Sequence, residues 1–404
     1  MNIAIVTREV SELTKNGGIG TAMRYLCEYL TLCGKHNIAI YYTGRPDIAM
    51  PLFSGKMQKR GINFYPIISW FGLLLRDQAK RARRTYEVLS KTEHDIYLFH
   101  DFMADSFYCM QSKMRGIAFT GRPLGIITHG PSLWVDEGNR HMAENGKRKH
   151  LYEMEQACCE QADFLVSPSR YLLNWMRERG WRLPERSCCI PNFTSMPGNL
   201  PSWSAKKLPH LDFDSLREIV FFGRLETRKG IRIFCDALLS LPVGLLNGRC
   251  VTFLGKEADF RVRDIRSTLT PLEQHGIKIV FLTNYNTLEA RRYLCGNGIL
   301  AIMPSLQENS PCTVSECLEH RVPFLTSSVG GGKELVHEED RAFAIFDPRP
   351  SCLAERLRDI LGGQGIIAAR PSQSSDALLQ QWQNILQRLT PSAANGRTSK
   401  FFRY

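Results

Sequence analysis

The chain has no long apolar run: the longest, Ile67 to Leu75, falls well short of the ~20 residues that a bilayer-spanning helix needs. A soluble or peripheral protein is therefore expected. The opening MNIAIVTREV does not read as a secretory leader, because its apolar stretch is short and Arg8 and Glu9 follow at once. Nor is there a CxxC. The 13 cysteines are odd in number and scattered, with adjacent pairs only at Cys158/Cys159 and Cys188/Cys189, which argues against a disulfide scaffold or a zinc ribbon. They are expected to be reduced and mostly buried, in a cytoplasmic protein. Solenoid repeats are absent, and no stripe interleaves aromatic with basic residues, so nucleic acid is not an expected partner despite a net charge of +12.

What is present is ordinary globular material: 404 residues, 43% hydrophobic and 23% charged, enough for two cores and a cleft between them. Short apolar runs alternate with amphipathic stretches. NIAIVT, IAIYYT, DIYLFH, LGIITH and DFLVSP punctuate the first half, and EIVFFG, CVTFLG, IKIVFL, GILAIMP and VPFLTS the second. This alternation predicts two parallel sheets with helices on their faces. The Pro-rich stretch after Ile190 marks the boundary. The organisation read from this is a first domain over 1–195, a linker over 196–217, and a second domain over 218–373. A helix over 374–390 then packs back on the first domain, and a flexible basic tail covers 391–404. The triplet Asp212-Phe213-Asp214 has the form of a metal-binding DxD, but its position fits a solvated linker, and no metal is expected.

In open α/β sheets ligands sit beyond the carboxyl ends of the strands, and three segments there carry chemistry. The first is ENSPCTVSE, with Glu308 in a loop and Glu316 inside a helix opened by Ser310 and Pro311. Proline at a first helical position sacrifices no hydrogen bond, the serine is expected to cap, and the orphan amides of Cys312 and Thr313 attract an anion. Glu308 and Glu316 then suit hydroxyls at the two ends of one ligand. The second segment, GRLETRKG, sets Arg224 and Lys229 where two cations can neutralise a diphosphate. The third, NGGIG, leads Gly17 and Gly18 into a helix but does not complete a dinucleotide fingerprint.

Together these resemble the retaining nucleotide-sugar glycosyltransferases of the GT-B type, family 4. The matching motifs are GGIG, THG at Thr128–Gly130, SPSRYL at Ser167–Leu172, IPN at Ile190–Asn192, GRLETRKG, and ENSPCTVSE followed by GG..EL. The resemblance implies a GT-B fold, two Rossmann-like α/β/α domains facing each other across a cleft. It also implies roles. His129, Arg224, Lys229 and Glu308 would be catalytic, and Gly17, Gly18, Asn309, Ser310, Pro311, Cys312, Thr313 and Glu316 would bind the donor. No cofactor or metal is implied, only a nucleotide-diphosphate sugar such as a UDP-sugar as co-substrate, with a glycan or lipid-linked acceptor in bacterial cell-surface polysaccharide synthesis. Where family members carry an apolar residue and a proline after GG, this chain has Gly332 and Lys333.

On the acceptor side, His100 and Asp101 end a strand beside the cleft, where they could orient an acceptor hydroxyl or serve as structural caps. The segment over 70–84 joins an apolar run to Lys80, Arg81, Arg83 and Arg84. It suits an anionic membrane surface on the cytoplasmic face, or else a core-packed helix with a solvated basic face. Rival readings are a glycosyltransferase acting on nucleic acid or protein, an epimerase of the same fold, and a nucleotide-sugar-binding protein.

Overall fold

The computed structural model describes residues 1–13, 18–45, 47, 49–67, 77–141, 146–193 and 210–389. Seven parallel strands form the first sheet: β1 Asn2–Thr7, β2 Asn37–Tyr42, β3 Ile62–Pro66, β4 Ile96–His100, β5 Leu124–Ile127, β6 Phe164–Ser167 and β7 Ser187–Cys189. Their order is β3-β2-β1-β4-β5-β6-β7. A separate two-stranded pair, β8 His210–Leu211 with β15 Ile366–Ile367, is antiparallel. The second sheet holds β9 Glu218–Phe222, β10 Cys250–Leu254, β11 Lys278–Leu282, β12 Ile299–Met303, β13 Phe324–Ser327 and β14 Ile345–Phe346 in the order β11-β10-β9-β12-β13-β14. In both sheets the order reverses beside the first strand, between β1 and β4 and between β9 and β12. Each reversal opens a crevice beyond the strand ends, because the flanking connections run to opposite faces.

The first domain's helices are α1 Gly18–Leu32, α2 Met50–Lys59, α3 Gln78–Leu89, α4 Phe107–Met114, α5 Ser132–Gly138, α6 Gly146–Gln161 and α7 Arg170–Glu178. Those that follow are α8 Ile231–Leu239, α9 Val262–Gln274, α10 Thr287–Leu294, α11 Cys312–His320, α12 Arg341–Ala344, α13 Pro350–Asp359 and α14 Ser375–Leu389. Strands buried on both faces read as continuous apolar runs, and β4, β5, β6, β12 and β13 are buried at every position. The edge strand β3 is instead buried only at Ile62 and Phe64.

The last helix packs far from its neighbours in sequence. Leu378, Trp382, Leu386 and Leu389 of α14 share one core with Ile3, Ile5, Leu30 and Phe164 of the first domain. The expected linker ends in structure: β8 pairs with β15, and the Asp212 carboxylate accepts from Ser215 N (2.8 Å) and Oγ (2.6 Å) in a tight turn. Gly17, residues 70–76 and the tail over 391–404 lie outside the described residues. Among the described residues no helix is long and apolar enough to cross a membrane.

Candidate active site

The loop after β9 turns through a short 3-10 segment, Thr227–Lys229, and enters α8 at Gly230. Gly230 has φ of 76°, and a Cβ there would lie 1.9 Å from the Pro304 carbonyl oxygen, so only glycine lets this loop close on the loop after β12. The contact brings two motifs together. Lys229 Nζ forms an ion pair with Glu308 Oε1, Ser305 Oγ donates to the same oxygen at 3.0 Å, and Arg228 Nη1 stands 3.6 Å from Oε2. Burial pushes the Glu308 carboxyl upward, but Lys229 and Arg228 outweigh it and hold the group below the usual range. Burial likewise lowers Lys229, with Glu308 opposing.

Arg228, inside GRLETRKG, is a second cation on Glu308 that the sequence reading passed over. It lies over the Trp134 ring of the first domain at 5.9 Å. Arg224 is half exposed and, among the described residues, forms an ion pair with Glu226 alone, at 3.1 Å, so its guanidinium is available to a ligand.

The loop after β12 delivers α11. Its N-cap is Pro311 itself, in an extended conformation, and no side chain caps the helix. The expected Ser310 cap is therefore corrected: Ser310 Oγ is buried without a partner, because Pro311 rather than Ser310 occupies the capping position. The first helical bond runs from Ser315 N to Pro311 O, which leaves the amides of Cys312, Thr313 and Val314 for an anion. Cys312 and Thr313 line a cavity of about 170 Å³ together with Gly18, Arg224, Tyr285 and Glu316.

Glu316 is buried, and its Oε1 lies 3.1 Å from Arg291 Nη2 on α10. Burial raises its carboxyl while Arg291 opposes. Arg291 Nη1 in turn donates to Tyr25 Oη on α1 at 2.9 Å. No motif marks Arg291 or Tyr25.

Asn309 bridges the domains: its Oδ1 accepts from Ser169 Oγ at 2.5 Å and its Nδ2 donates to Thr128 O at 3.4 Å. Beside it, Glu334 of GG..EL accepts from the amides of Arg170 (2.8 Å) and Tyr171 (2.9 Å), capping α7 from the other domain. Gly331 permits this approach, since a Cβ there would fall 1.8 Å from Asn309 O and 2.5 Å from Ser169 Cβ. Lys333 is exposed.

Across the cleft, Asp101 is fully buried and accepts from His129 N (2.8 Å) and Gly130 N (3.0 Å). It anchors the THG turn. Of the two roles open to it, this geometry is that of a structural cap, with both oxygens engaged by the backbone; burial raises its carboxyl to about 6. The rings of His100 and His129 meet edge to face at 4.7 Å. Burial lowers His100 to about 4 and His129 well below the ordinary imidazole value, so both are neutral near pH 7. His129 Nε2 has no protein partner. Beneath the turn, the buried Glu155 on α6 accepts from Met103 N (2.7 Å), Ser132 N (2.6 Å) and Ser132 Oγ (2.7 Å), joining the loops after β4 and β5.

Two family descriptions match this chain: Glycosyltransferase Family 4 over residues 16–195 and Glycosyl transferases group 1 over residues 217–362. The chain belongs to this glycosyltransferase family. No curated protein matches it by sequence. Among solved structures, sucrose-phosphate synthase from Thermosynechococcus elongatus is 17% identical with a TM-score of 0.64, covering 97% of this chain and 96% of that one. The lipopolysaccharide outer core galactosyltransferase WaaB is 15% identical with a TM-score of 0.60, covering 97% and 96%. HepE from Anabaena, in complex with UDP, is 16% identical with a TM-score of 0.56, covering 96% of each chain. At these identities the likeness shows the fold, which is GT-B.

In the glycosyltransferase, the second-domain switch point gathers helix amides, the exposed Arg224, the ion-paired Arg228, Lys229 and Arg291, and two buried carboxylates. Such a set can hold a diphosphate at its centre and hydroxyl groups on either side. The basic segment after residue 76 is reduced by the fold: Arg81 is only 6% exposed, and Arg83 and Arg84 share Glu87 at 3.6 and 3.2 Å. Three exposed cations remain of the four.

Proposed function

We propose that this glycosyltransferase moves a sugar from a UDP-sugar to an acceptor hydroxyl with retention of anomeric configuration and without a metal. The uncapped N-terminus of α11, flanked by Arg224 and Lys229, carries the reading. The donor diphosphate sits on the amides of Cys312 and Thr313, Glu308 holds sugar hydroxyls and Glu316 the ribose. The bond between the anomeric carbon and the phosphate oxygen breaks as a bond to the acceptor oxygen forms on the same face. The acceptor proton passes to the departing phosphate, whose charge Arg224, Lys229 and the amides stabilise. Neutral His129 hydrogen-bonds near the reacting sugar. UDP in the HepE complexes and the lipopolysaccharide role named for WaaB favour a UDP donor and a glycan or lipid-linked acceptor in bacterial cell-surface glycan synthesis, at the cytoplasmic face.

Calorimetry across a panel of nucleotide sugars, with Glu316→Ala as control, tests the donor. The expected result is tight binding of UDP-sugars, weakened at least tenfold by the substitution; binding of no donor would defeat the reading. Proton NMR of the product made in EDTA tests the chemistry, through the same anomeric coupling as the donor and undiminished turnover. An inverted product, or activity abolished by EDTA and restored by a divalent cation, would overturn retention or metal independence respectively.

A further inference from the structure

The first domain has its own switch point, between β1 and β4, and among the described residues one cation there keeps a buried N–H with no hydrogen-bond partner. Arg8 follows β1 directly, its Nη1 is buried with no hydrogen-bond partner, and among the described residues Arg8 joins no ion pair. A buried guanidinium N–H with its hydrogen bond unmade is uncommon and calls for an acceptor.

Among the described residues, Arg81, Asp105 and Glu9 are charged groups whose electrostatics Arg8 influences. Arg81 is nearly buried and carries the same sign, so it adds to the excess rather than relieving it. Asp105 is shared between the two guanidiniums, and its oxygens are already taken: Oδ2 accepts from Thr43 Oγ1 at 2.5 Å, and Oδ1 from Gln78 Nε2 at 3.1 Å. Arg8 stands directly after the carboxyl end of β1, beside the point where the strand order reverses between β1 and β4, which is where an open α/β sheet presents its ligand crevice. A guanidinium N–H withdrawn from water with its hydrogen bond unmade, beside a second, nearly buried arginine, favours an arriving anion, and the planar fork of arginine matches phosphate or carboxylate geometry.

We infer that Arg8, backed by Arg81, forms a subsite on the acceptor side of the cleft for an anionic group, a phosphate or a carboxylate, carried by the acceptor. The inference rests on the glycosyltransferase reading, since the donor diphosphate occupies the opposite wall. It deepens that reading by naming acidic acceptors as the substrate class. Thr43, just after β2, and Gln78, at the start of α3, occupy the two oxygens of Asp105, which forms no ion pair with Arg8.

The test is calorimetry on the full chain saturated with UDP, so that the diphosphate site is filled. Inorganic phosphate, glucuronate and glucose are titrated separately into the wild type, Arg8→Gln and Arg8→Lys. The wild type is expected to bind phosphate or glucuronate at one site and to bind glucose at least tenfold more weakly. Arg8→Gln loses the anion preference at least tenfold, and Arg8→Lys retains part of it, as a point charge without the fork. Tighter phosphate points to a phosphorylated acceptor and tighter glucuronate to an acidic sugar. If Arg8→Gln does not give a cooperative melt, Arg8→Lys carries the comparison, with a several-fold loss expected. An UDP-saturated chain that binds neither anion, or variants that bind them as the wild type does, would overturn the subsite. The UDP titration is read on its own, so a failure there counts against the donor reading instead.

Discussion

Lys229 answers to Glu308 in the free protein and, in the proposed complex, to a diphosphate as well. Both demands concern a buried ammonium whose burial already lowers its proton affinity. Lys229→Ala is expected to lower kcat by about 10²–10³-fold, the scale for losing one preorganised stabiliser of developing negative charge, with a smaller change in donor KM. Steady-state kinetics at saturating donor will check it. Glu155 gives a prediction in stability. Burial pushes its carboxyl up to about 8, against the hydrogen bonds from Met103 and Ser132 and above its value of 4.5 in the unfolded chain. The native state therefore holds this proton more tightly, so the group's contribution is fully present below about 4.5 and is lost as pH rises through about 8. Urea unfolding at a series of pH values should show stability falling across that window in the wild type, with a flatter profile in Glu155→Gln.

At the scale of elements, α7 is a helix whose first amides are satisfied from the opposite domain, by Glu334. Local propensity does not require this, since Ser169 already caps Leu172 N at 3.2 Å. Glu334→Ala removes the interdomain cap and should cost about 1–2 kcal/mol. Because the lost contact joins the domains, kcat/KM should fall about tenfold as well. Solution scattering with UDP is expected to show a larger radius of gyration in the variant; an unchanged radius with unchanged kinetics would count against a joining role. The same scale explains which strands were legible. The runs NIAIVT, EIVFFG and GILAIMP announce β1, β9 and β12, because strands covered on both faces need apolar residues throughout. The edge strand β3 alternates and ends in Pro66, and β7 is only Ser187-Cys188-Cys189, so neither presents an apolar run.

For the whole molecule, α14 makes the end of the described chain part of the first domain's core. Trp382 is 3% exposed among residues of that core. Trp382→Ala is expected to cost about 3–5 kcal/mol, the range for emptying a large buried aromatic site. The loss should appear in the unfolding of the first domain, whose core it shares, rather than of the second. Domain-resolved hydrogen exchange will tell the two apart.

The sequence by itself determined where the chain turns from strand to loop, which loops carry glycine, cation and carboxylate, and that two parallel sheets follow one another. These are local matters of periodicity, backbone freedom and helix-end chemistry, and the motifs around Glu308, Glu316, Arg224 and Lys229 were readable for that reason. Tertiary structure alone decided the partners. Arg291 reaches Tyr25 across 266 positions, Glu334 reaches the amides of α7, Asn309 meets Ser169 of the first domain, and Arg8 Nη1 is buried with no hydrogen-bond partner among the described residues. Charge pairing depends on distance and burial in three dimensions, and neither is written in the spacing of residues along the chain.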